Sequence, residues 1–168
     1  VTATRKTLWG IVDKIALQYG GGLTHRLGLA DAAILKENHL TVLKNSGDPQ
    51  ALMTALDAIV ATDPFLRFVE VEVTNDDEFW QVVEAYNRLR PETYCVIMFD
   101  HFAPENIAQL IKATKNNGVY PTIFFEASGN ITLETIRDYA ASGVDVISVG
   151  ALTHSVKSAD FSLLINKF

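Results

Sequence analysis

The feature that most constrains the fold of this chain is a regular alternation of short β-rich apolar runs with longer segments of helical period. Within the helical segments, apolar residues recur at the spacing of one helix face, as in Leu52, Leu56 and Ile59. Because parallel strands need a long connection between them, this alternation predicts an α/β fold with a parallel sheet and right-handed crossovers. The predicted strands are residues 32–36, 67–73, 95–99, 121–126 and 144–149.

A sixth unit is predicted at the start of the chain, where residues 1–5 precede an amphipathic segment at Leu8, Ile11, Val12 and Ile15. Six strands suit either an open doubly wound sheet or a barrel smaller than the usual eight-stranded one. Polar residues and glycine at the ends of successive strands favour the barrel, because closure gathers these ends at one mouth. They are Arg5 with Lys6, Lys36, Glu72, Asp100, Glu126 with Ser128, and Gly150. We therefore predict one domain, residues 1–168, with an incomplete six-stranded parallel α/β barrel similar to a TIM barrel.

Length, charge and cysteine usage exclude several classes of protein. A chain of 168 residues, 48% of them apolar, buries a core without a disulfide or structural metal. No run approaches the ~18 apolar residues of a membrane span, and the net charge of −6 argues against nucleic-acid binding. The single cysteine, Cys95, lies in an apolar run and is expected to be a buried small residue rather than a reactive thiol. We therefore expect a soluble cytoplasmic protein that binds neither membranes nor nucleic acid.

The first quarter of the chain has a charge balance opposite to that of the whole. Residues 1–44 carry six basic and three acidic side chains, which predicts an anionic small-molecule ligand. Three glycines at residues 20–22 permit close backbone approach just before His25 and Arg26, and Lys36 directly follows a strand. Arginine binds carboxylates and phosphates with two parallel hydrogen bonds, and lysine adds a mobile charge. The alternative is a surface loop with solvated charges.

Carboxylates at two neighbouring strand ends form a second candidate set. Glu70 and Glu72 share one face of their strand, while the valines between them take the other. Asp100 ends the next strand in the same way. Carboxylates among apolar residues need a cationic or metal partner, so Glu72 and Asp100 are candidates to hold ribose hydroxyls or Mg²⁺. The alternative, an exposed strand face, is stronger for Glu70 than for Glu72.

Small residues follow the last two predicted strands. They are Ser128 and Gly129 after one strand and Gly150 after the other. Such residues leave backbone N–H groups uncovered, and loops after the last strands of barrels often bind phosphate. Tight turns are the alternative, and neither segment matches a Walker loop or a dinucleotide fingerprint.

As an ordered set, these residues closely resemble the quinolinate phosphoribosyltransferase family, also called carboxylating nicotinate-nucleotide pyrophosphorylase. The resemblance runs over nearly the whole chain and implies an incomplete six-stranded α/β barrel, in agreement with the strand count. The segments that carry it are Thr4-Arg5-Lys6-Thr7, Gly20-Gly21-Gly22 with His25-Arg26, Lys36-x-Asn38-His39, Glu70-Val71-Glu72, Asp100, Glu126-Ala127-Ser128-Gly129 and the stretch from Val144 to Thr153.

The resemblance implies an enzyme of NAD synthesis that converts quinolinate and phosphoribosyl pyrophosphate into nicotinate mononucleotide, pyrophosphate and CO₂. By position, Arg5, His25 and Arg26 would hold the carboxylates of quinolinate. Lys6 and Lys36 would be catalytic residues near the substrate and the pyrophosphate. These assignments rest on the family resemblance.

The same resemblance implies Mg²⁺ as the cofactor. Glu72 and Asp100 would be catalytic residues that face the ribose and bind the metal. Ser128, Gly129 and Gly150 would bind the ribose phosphate.

Family members also carry an N-terminal α/β domain that covers the barrel mouth of a partner subunit, which implies a homodimer. We expect this chain to lack that domain, because a strand is predicted at its first residues. One alternative is a related phosphoribosyltransferase-like protein associated with molybdenum transport, against which the His25-Arg26 pair and the Lys36-x-Asn38-His39 segment argue. Another is a barrel fragment that binds anions without turnover.

Overall fold

A computed structural model describes residues 1–29, 31–62, 66–89, 92–116 and 121–165 as a parallel sheet with helices between its strands. Each strand pairs with the next one along the chain, so the sheet order is also the sequence order. The predicted α/β class and parallel sheet are therefore confirmed. The strands are β1 (Ala33–Leu35), β2 (Phe68–Val73), β3 (Tyr94–Asp100), β4 (Ile123–Ser128) and β5 (Val146–Ile147).

Two of the helices begin at start signals that are visible in the sequence. Asn75 accepts a hydrogen bond from the Glu78 N–H at 3.0 Å, and Pro104 is the first residue of its helix. The helices are α1 (Ile11–Tyr19), α2 (Glu37–Asn45), α3 (Ala51–Thr62), α4 (Asp76–Leu89), α5 (Pro104–Asn116), α6 (Ile136–Ala141) and α7 (Ala151–His154).

The sheet continues past β5 but does not close within the described residues. The first segment contributes a single bridge residue, Thr2, which pairs in parallel with Ser148 and with Leu23. The strand predicted at residues 1–5 is thus one bridge, and the strand predicted at 144–149 is ordered as β5 over two residues. This arrangement agrees with an incomplete barrel.

The two faces of the sheet carry different side chains. One face packs against the helices, where Phe99 stacks on Phe79 with ring centroids 5.2 Å apart and on Phe125 at 6.2 Å. Burial of this aromatic cluster removes much apolar surface from water and forms the core. The other face carries the alternate residues of the same strands, including Glu70 and Glu72, and therefore presents polar groups.

The amino-terminal helix departs from the prediction. Its apolar residues Ile11, Val12 and Ile15 are exposed, as is Trp9 before it, whereas its one buried residue is Lys14. The amphipathic pattern is present, but its apolar side faces outward. This leaves an apolar surface at one end of the chain.

Two further expectations concern the class of protein. Cys95 is fully buried, and this burial raises the pKa of its thiol, as expected for an unreactive core residue. None of the helices in the described part of the chain combines the length and apolar character needed to cross a membrane.

Candidate active site

A cavity of about 700 Å³ lies on the polar face of the sheet, toward the carboxyl ends of its strands. Its lining combines cationic side chains, carboxylates and small residues. All ten residues that were given a catalytic or binding role line this cavity, although more than 140 positions separate the first from the last. They are Arg5, Lys6, His25, Arg26, Lys36, Glu72, Asp100, Ser128, Gly129 and Gly150.

Lys14 of α1 binds the loop that carries His25 and Arg26. The Lys14 ammonium donates hydrogen bonds to the carbonyl oxygens of Thr24 at 2.6 Å and Arg26 at 2.5 Å. Burial lowers the pKa of Lys14, and the nearby charges of Arg5 and Arg26 lower it further. Lys14 therefore positions the loop with its backbone contacts. The sequence analysis missed it, because a lysine in a surface helix gives no signal of burial.

Arg26 is half-buried beside the same wall of the cavity. Its Nη1 donates a hydrogen bond to the Ala32 carbonyl oxygen at 3.1 Å, which fixes one side of the guanidinium. The planar group has further donors that this contact does not use. Burial lowers the pKa of Arg26, while the Glu70 carboxylate acts in the opposite direction.

His25 is the most constrained cation of the cavity. Its backbone has a φ of 54°, and its Nε2 lies 3.0 Å from Glu70 Oε2 and 3.3 Å from Glu126 Oε2. Burial opposes the charged ring, but the Glu126 and Glu70 carboxylates outweigh it and raise the pKa of His25 to about 9. The edge of the ring also meets Phe68, with centroids 5.4 Å apart. The two carboxylates thus favour the protonated form of the ring.

The two carboxylates that meet His25 are buried. Glu70 is 0% exposed and Glu126 is 1% exposed, so the alternative of an exposed strand face is wrong for Glu70. Burial raises the pKa of Glu70, and the hydrogen bond with His25 opposes that rise. The Ser148 hydroxyl donates a hydrogen bond to Glu126 Oε1 and so fixes the orientation of the Glu126 carboxylate. Ser148 was not singled out in the sequence.

Lys36 and Glu72 form an ion pair at the rim. Lys36 Nζ lies 2.5 Å from Glu72 Oε2, and the lysine side chain is 51% exposed. The register of the sheet places Glu72 beside Met98, two residues before Asp100 on the next strand. Asp100 is partly exposed, with the His101 ring 3.8 Å from its carboxylate. These carboxylates offer oxygen atoms to the cavity, as a ligand set for a hard cation requires.

The small residues at the ends of β4 and β5 form another part of the wall. Ser128 ends β4 directly opposite Asp100, and Gly129 follows with a φ of +93°. A Cβ built on Gly129 would lie 2.7 Å from the His101 backbone nitrogen. Both its conformation and the space around it therefore require glycine at this position.

Gly129→Ala is expected to destabilise the fold by about 1–3 kcal/mol, because the new methyl group adds a clash to backbone strain. It should also weaken binding of inorganic phosphate to the cavity wall. Urea unfolding and calorimetry measure the two effects.

Gly143→Ala is the matched control, because Gly143 has a φ of +90° and no atom within 4 Å of the added Cβ. Gly143→Ala introduces the same backbone strain as Gly129→Ala but no steric clash, and Gly143 lies outside the cavity lining. Equal losses of stability in the two variants would show that contact with His101 has no effect.

The first and last parts of the chain meet beside the cavity. Thr153, buried in α7, donates a hydrogen bond from its hydroxyl to the Lys6 carbonyl oxygen at 2.8 Å. The Thr2 N–H donates to the Ile147 carbonyl oxygen at 2.9 Å. These contacts place the Arg5-Lys6 segment next to Gly150.

Three known proteins are similar to this chain in sequence or in structure. A probable nicotinate-nucleotide pyrophosphorylase [carboxylating] of Methanocaldococcus jannaschii is 38% identical, with 100% of this chain and 56% of that protein covered. The one of Archaeoglobus fulgidus is 35% identical, with 98% and 58% covered. The solved nicotinate-nucleotide pyrophosphorylase of Francisella tularensis superimposes with a TM-score of 0.72 at 35% identity, over 93% of this chain and 50% of that one.

The chain thus spans somewhat more than half the length of these curated relatives. Their names favour the quinolinate interpretation over the one associated with molybdenum transport. The family model described as "Quinolinate phosphoribosyl transferase, C-terminal domain" matches residues 1–164. On that match, and on relatives above 30% identity over its whole length, this chain belongs to the quinolinate phosphoribosyltransferase family.

Proposed function

We propose that this chain carries the catalytic barrel of an enzyme that transfers phosphoribose to quinolinate with loss of CO₂. The products would be nicotinate mononucleotide and pyrophosphate, which places the reaction in NAD synthesis. The observation that carries the proposal is the composition of one cavity, which combines half-buried and exposed cations with carboxylates and small residues. The names of the relatives supply the substrate class.

The cations would bind the two carboxylates of quinolinate. Arg5, His25 and Arg26 line one part of the cavity, and His25 is charged at neutral pH because of its carboxylate partners. Two anionic substrates repel each other in water, so fixed cations are needed to hold them in contact. Lys6 and Lys36, both exposed, would bind the leaving pyrophosphate and neutralise its growing charge.

The transfer itself needs no nucleophile from the protein. The pyridine nitrogen forms a bond to the ribose C1 as the bond from C1 to pyrophosphate breaks, and positive charge develops on the ribose. Glu72 and Asp100 would face that charge and lower its energy. The carboxylate next to the ring nitrogen then leaves as CO₂, and a proton takes its place. Positioning and electrostatics therefore supply the catalysis.

Mg²⁺ fits the residues proposed for it. Magnesium prefers oxygen ligands and is commonly held by one or two carboxylates together with substrate phosphates. Glu72 and Asp100 supply such oxygens, and Ser128, Gly129 and Gly150 form the adjacent wall proposed for the ribose phosphate. When bound, the ion would offset the charge of the pyrophosphate.

The complete protein would be a cytoplasmic homodimer, in which an N-terminal domain of the partner subunit covers each cavity. Two observations support this proposal. The chain spans little more than half of its relatives, and its first helix exposes an apolar surface at Trp9, Ile11, Val12 and Ile15. Apolar patches of this kind mark protein contacts.

The function is tested by single-turnover release of labelled CO₂. The chain is used in excess over quinolinate that carries the label in its 2-carboxylate, with phosphoribosyl pyrophosphate and Mg²⁺ added. We expect label to be released only when phosphoribosyl pyrophosphate is present, with one nicotinate mononucleotide formed per CO₂.

Nicotinate, which lacks the 2-carboxylate, is the control substrate and should not be consumed. No release from quinolinate at any concentration of chain, together with retained binding of both substrates, would favour an anion-binding barrel without turnover.

A further inference from the structure

The contacts of His25 leave its two ring nitrogens in different surroundings. Nε2 faces the buried carboxylates of Glu70 and Glu126 at 3.0 and 3.3 Å. Nδ1 makes no hydrogen bond to any residue that the structure describes, while His25 itself lines the cavity. Nε2 therefore contacts the protein, and Nδ1 is available to contact a ligand in the cavity.

The protonation state of the ring decides what the available nitrogen can do. A neutral imidazole that donates from Nε2 has a lone pair on Nδ1, which repels a carboxylate. The imidazolium ion has N–H groups at both positions, so Nδ1 becomes a donor. Binding of an anion at Nδ1 therefore requires that the proton stay on the ring.

The two carboxylates lie within ion-pair distance of the ring. Ser148 donates to Glu126 Oε1 and leaves Oε2 toward His25, while Glu70 is 0% exposed and comes from a different strand. Neither oxygen of Glu70 has a well-aligned hydrogen-bond donor among the described residues, and the same holds for Glu126 Oε2. The ion pairs with His25 therefore supply the charge compensation for these buried oxygens. A buried carboxylate without a cation would be costly, which favours the proton on the ring.

We propose that Glu70 and Glu126 are positioning residues that keep His25 doubly protonated, so that Nδ1 is a permanent donor to a carboxylate of the anionic substrate. This inference rests on the proposed function for the identity of that substrate. The two charged groups that act on the ring are Glu126 from β4 and Glu70 from β2, with Arg26 of the same loop interacting with Glu70. The raised pKa of His25, about 9, agrees with this arrangement.

The first measurement is a ¹⁵N NMR titration of the His25 ring in the substrate-free chain, assigned with His25→Gln. We expect the ring to remain protonated to beyond pH 8. In the double variant Glu70→Gln/Glu126→Gln, the midpoint should fall to about 6.5 or lower, the value of an unpaired imidazole. A midpoint near 6.5 in the unaltered chain would overturn the proposal without any variant.

The second measurement is the dissociation constant of quinolinate by calorimetry at pH 6 and pH 8. For the unaltered chain we expect little change, whereas in the double variant it should rise about 20-fold as the ring loses its proton. Glu84→Gln on the surface of α4 is the matched control and should behave like the unaltered chain, because Glu84 is exposed and outside the cavity. Equal weakening of the double variant at both pH values would indicate a merely structural role and overturn the proposal.

Two further outcomes are distinguishable. The three side chains also have donor atoms close enough to ligate a metal ion. Stoichiometric binding of Zn²⁺ that abolishes the ring protons and requires both glutamates would overturn the proposal. If quinolinate fails to bind at any pH while the ring titrates near 9, the proposed substrate is wrong and the positioning of His25 is retained.

Discussion

The 168 residues by themselves are expected to form nicotinate mononucleotide about 100-fold or more slowly than the same residues supplied with the N-terminal domain of a family member. Arg5, Lys6 and Lys36 line the cavity but are exposed, so water screens their charges. A covering domain would exclude that water and strengthen each interaction with the substrates. Initial rates in a coupled pyrophosphate assay measure the difference.

Sedimentation of both samples completes this experiment. The sample with the added domain should sediment as a dimer, because the exposed apolar surface of α1 would then be covered. Comparable rates from a monomeric 168-residue chain would show that neither the second domain nor the second subunit is needed.

Arg26→Ala is expected to weaken quinolinate binding about 10- to 100-fold, because it removes charge-assisted hydrogen bonds to a carboxylate. Binding of phosphoribosyl pyrophosphate should change much less, since other residues of the cavity are proposed to hold that substrate. Calorimetry with each substrate separately measures both effects.

Arg137→Ala is the control, because Arg137 is an exposed arginine on α6 outside the cavity. Arg26→Lys distinguishes the effect of charge from that of hydrogen-bond geometry. Lysine keeps the positive charge but lacks the planar guanidinium group. Equal losses for the two substrates in Arg26→Ala would contradict the assignment of Arg26 to quinolinate.

The main elements of the fold were predictable because each strand and helix has its own periodic pattern. The valines of β2 alternate with Glu70 and Glu72, so the two-faced strand followed directly from the sequence. Sheet closure was less predictable, since it depends on pairing between distant segments. The first strand contributes only Thr2 as a bridge, and β5 is ordered over two residues.

The residues of the candidate site were predictable from the sequence, but the contacts between their side chains were less so. Strand ends of a parallel sheet meet at one edge, which is why Lys36, Glu72 and Asp100 line the same cavity. The sequence cannot show that Glu70 meets His25 from 45 residues away, because loop geometry decides it. Lys14 was missed because a lysine in a helix gives no signal of burial, and its partners are backbone carbonyl oxygens that carry no sequence pattern.

The hydrogen bond from Thr153 to the Lys6 carbonyl has a consequence for synthesis of the chain. Within this barrel, residues 1–6 are made before all other segments, but their places beside β5 and α7 exist only after about 150 more residues have been made. The sheet from β1 to β4 can form earlier, as it pairs neighbours in sequence. We therefore expect the cavity to be the last part of the barrel to assemble, because Gly150 completes its wall only when residues 1–6 have docked.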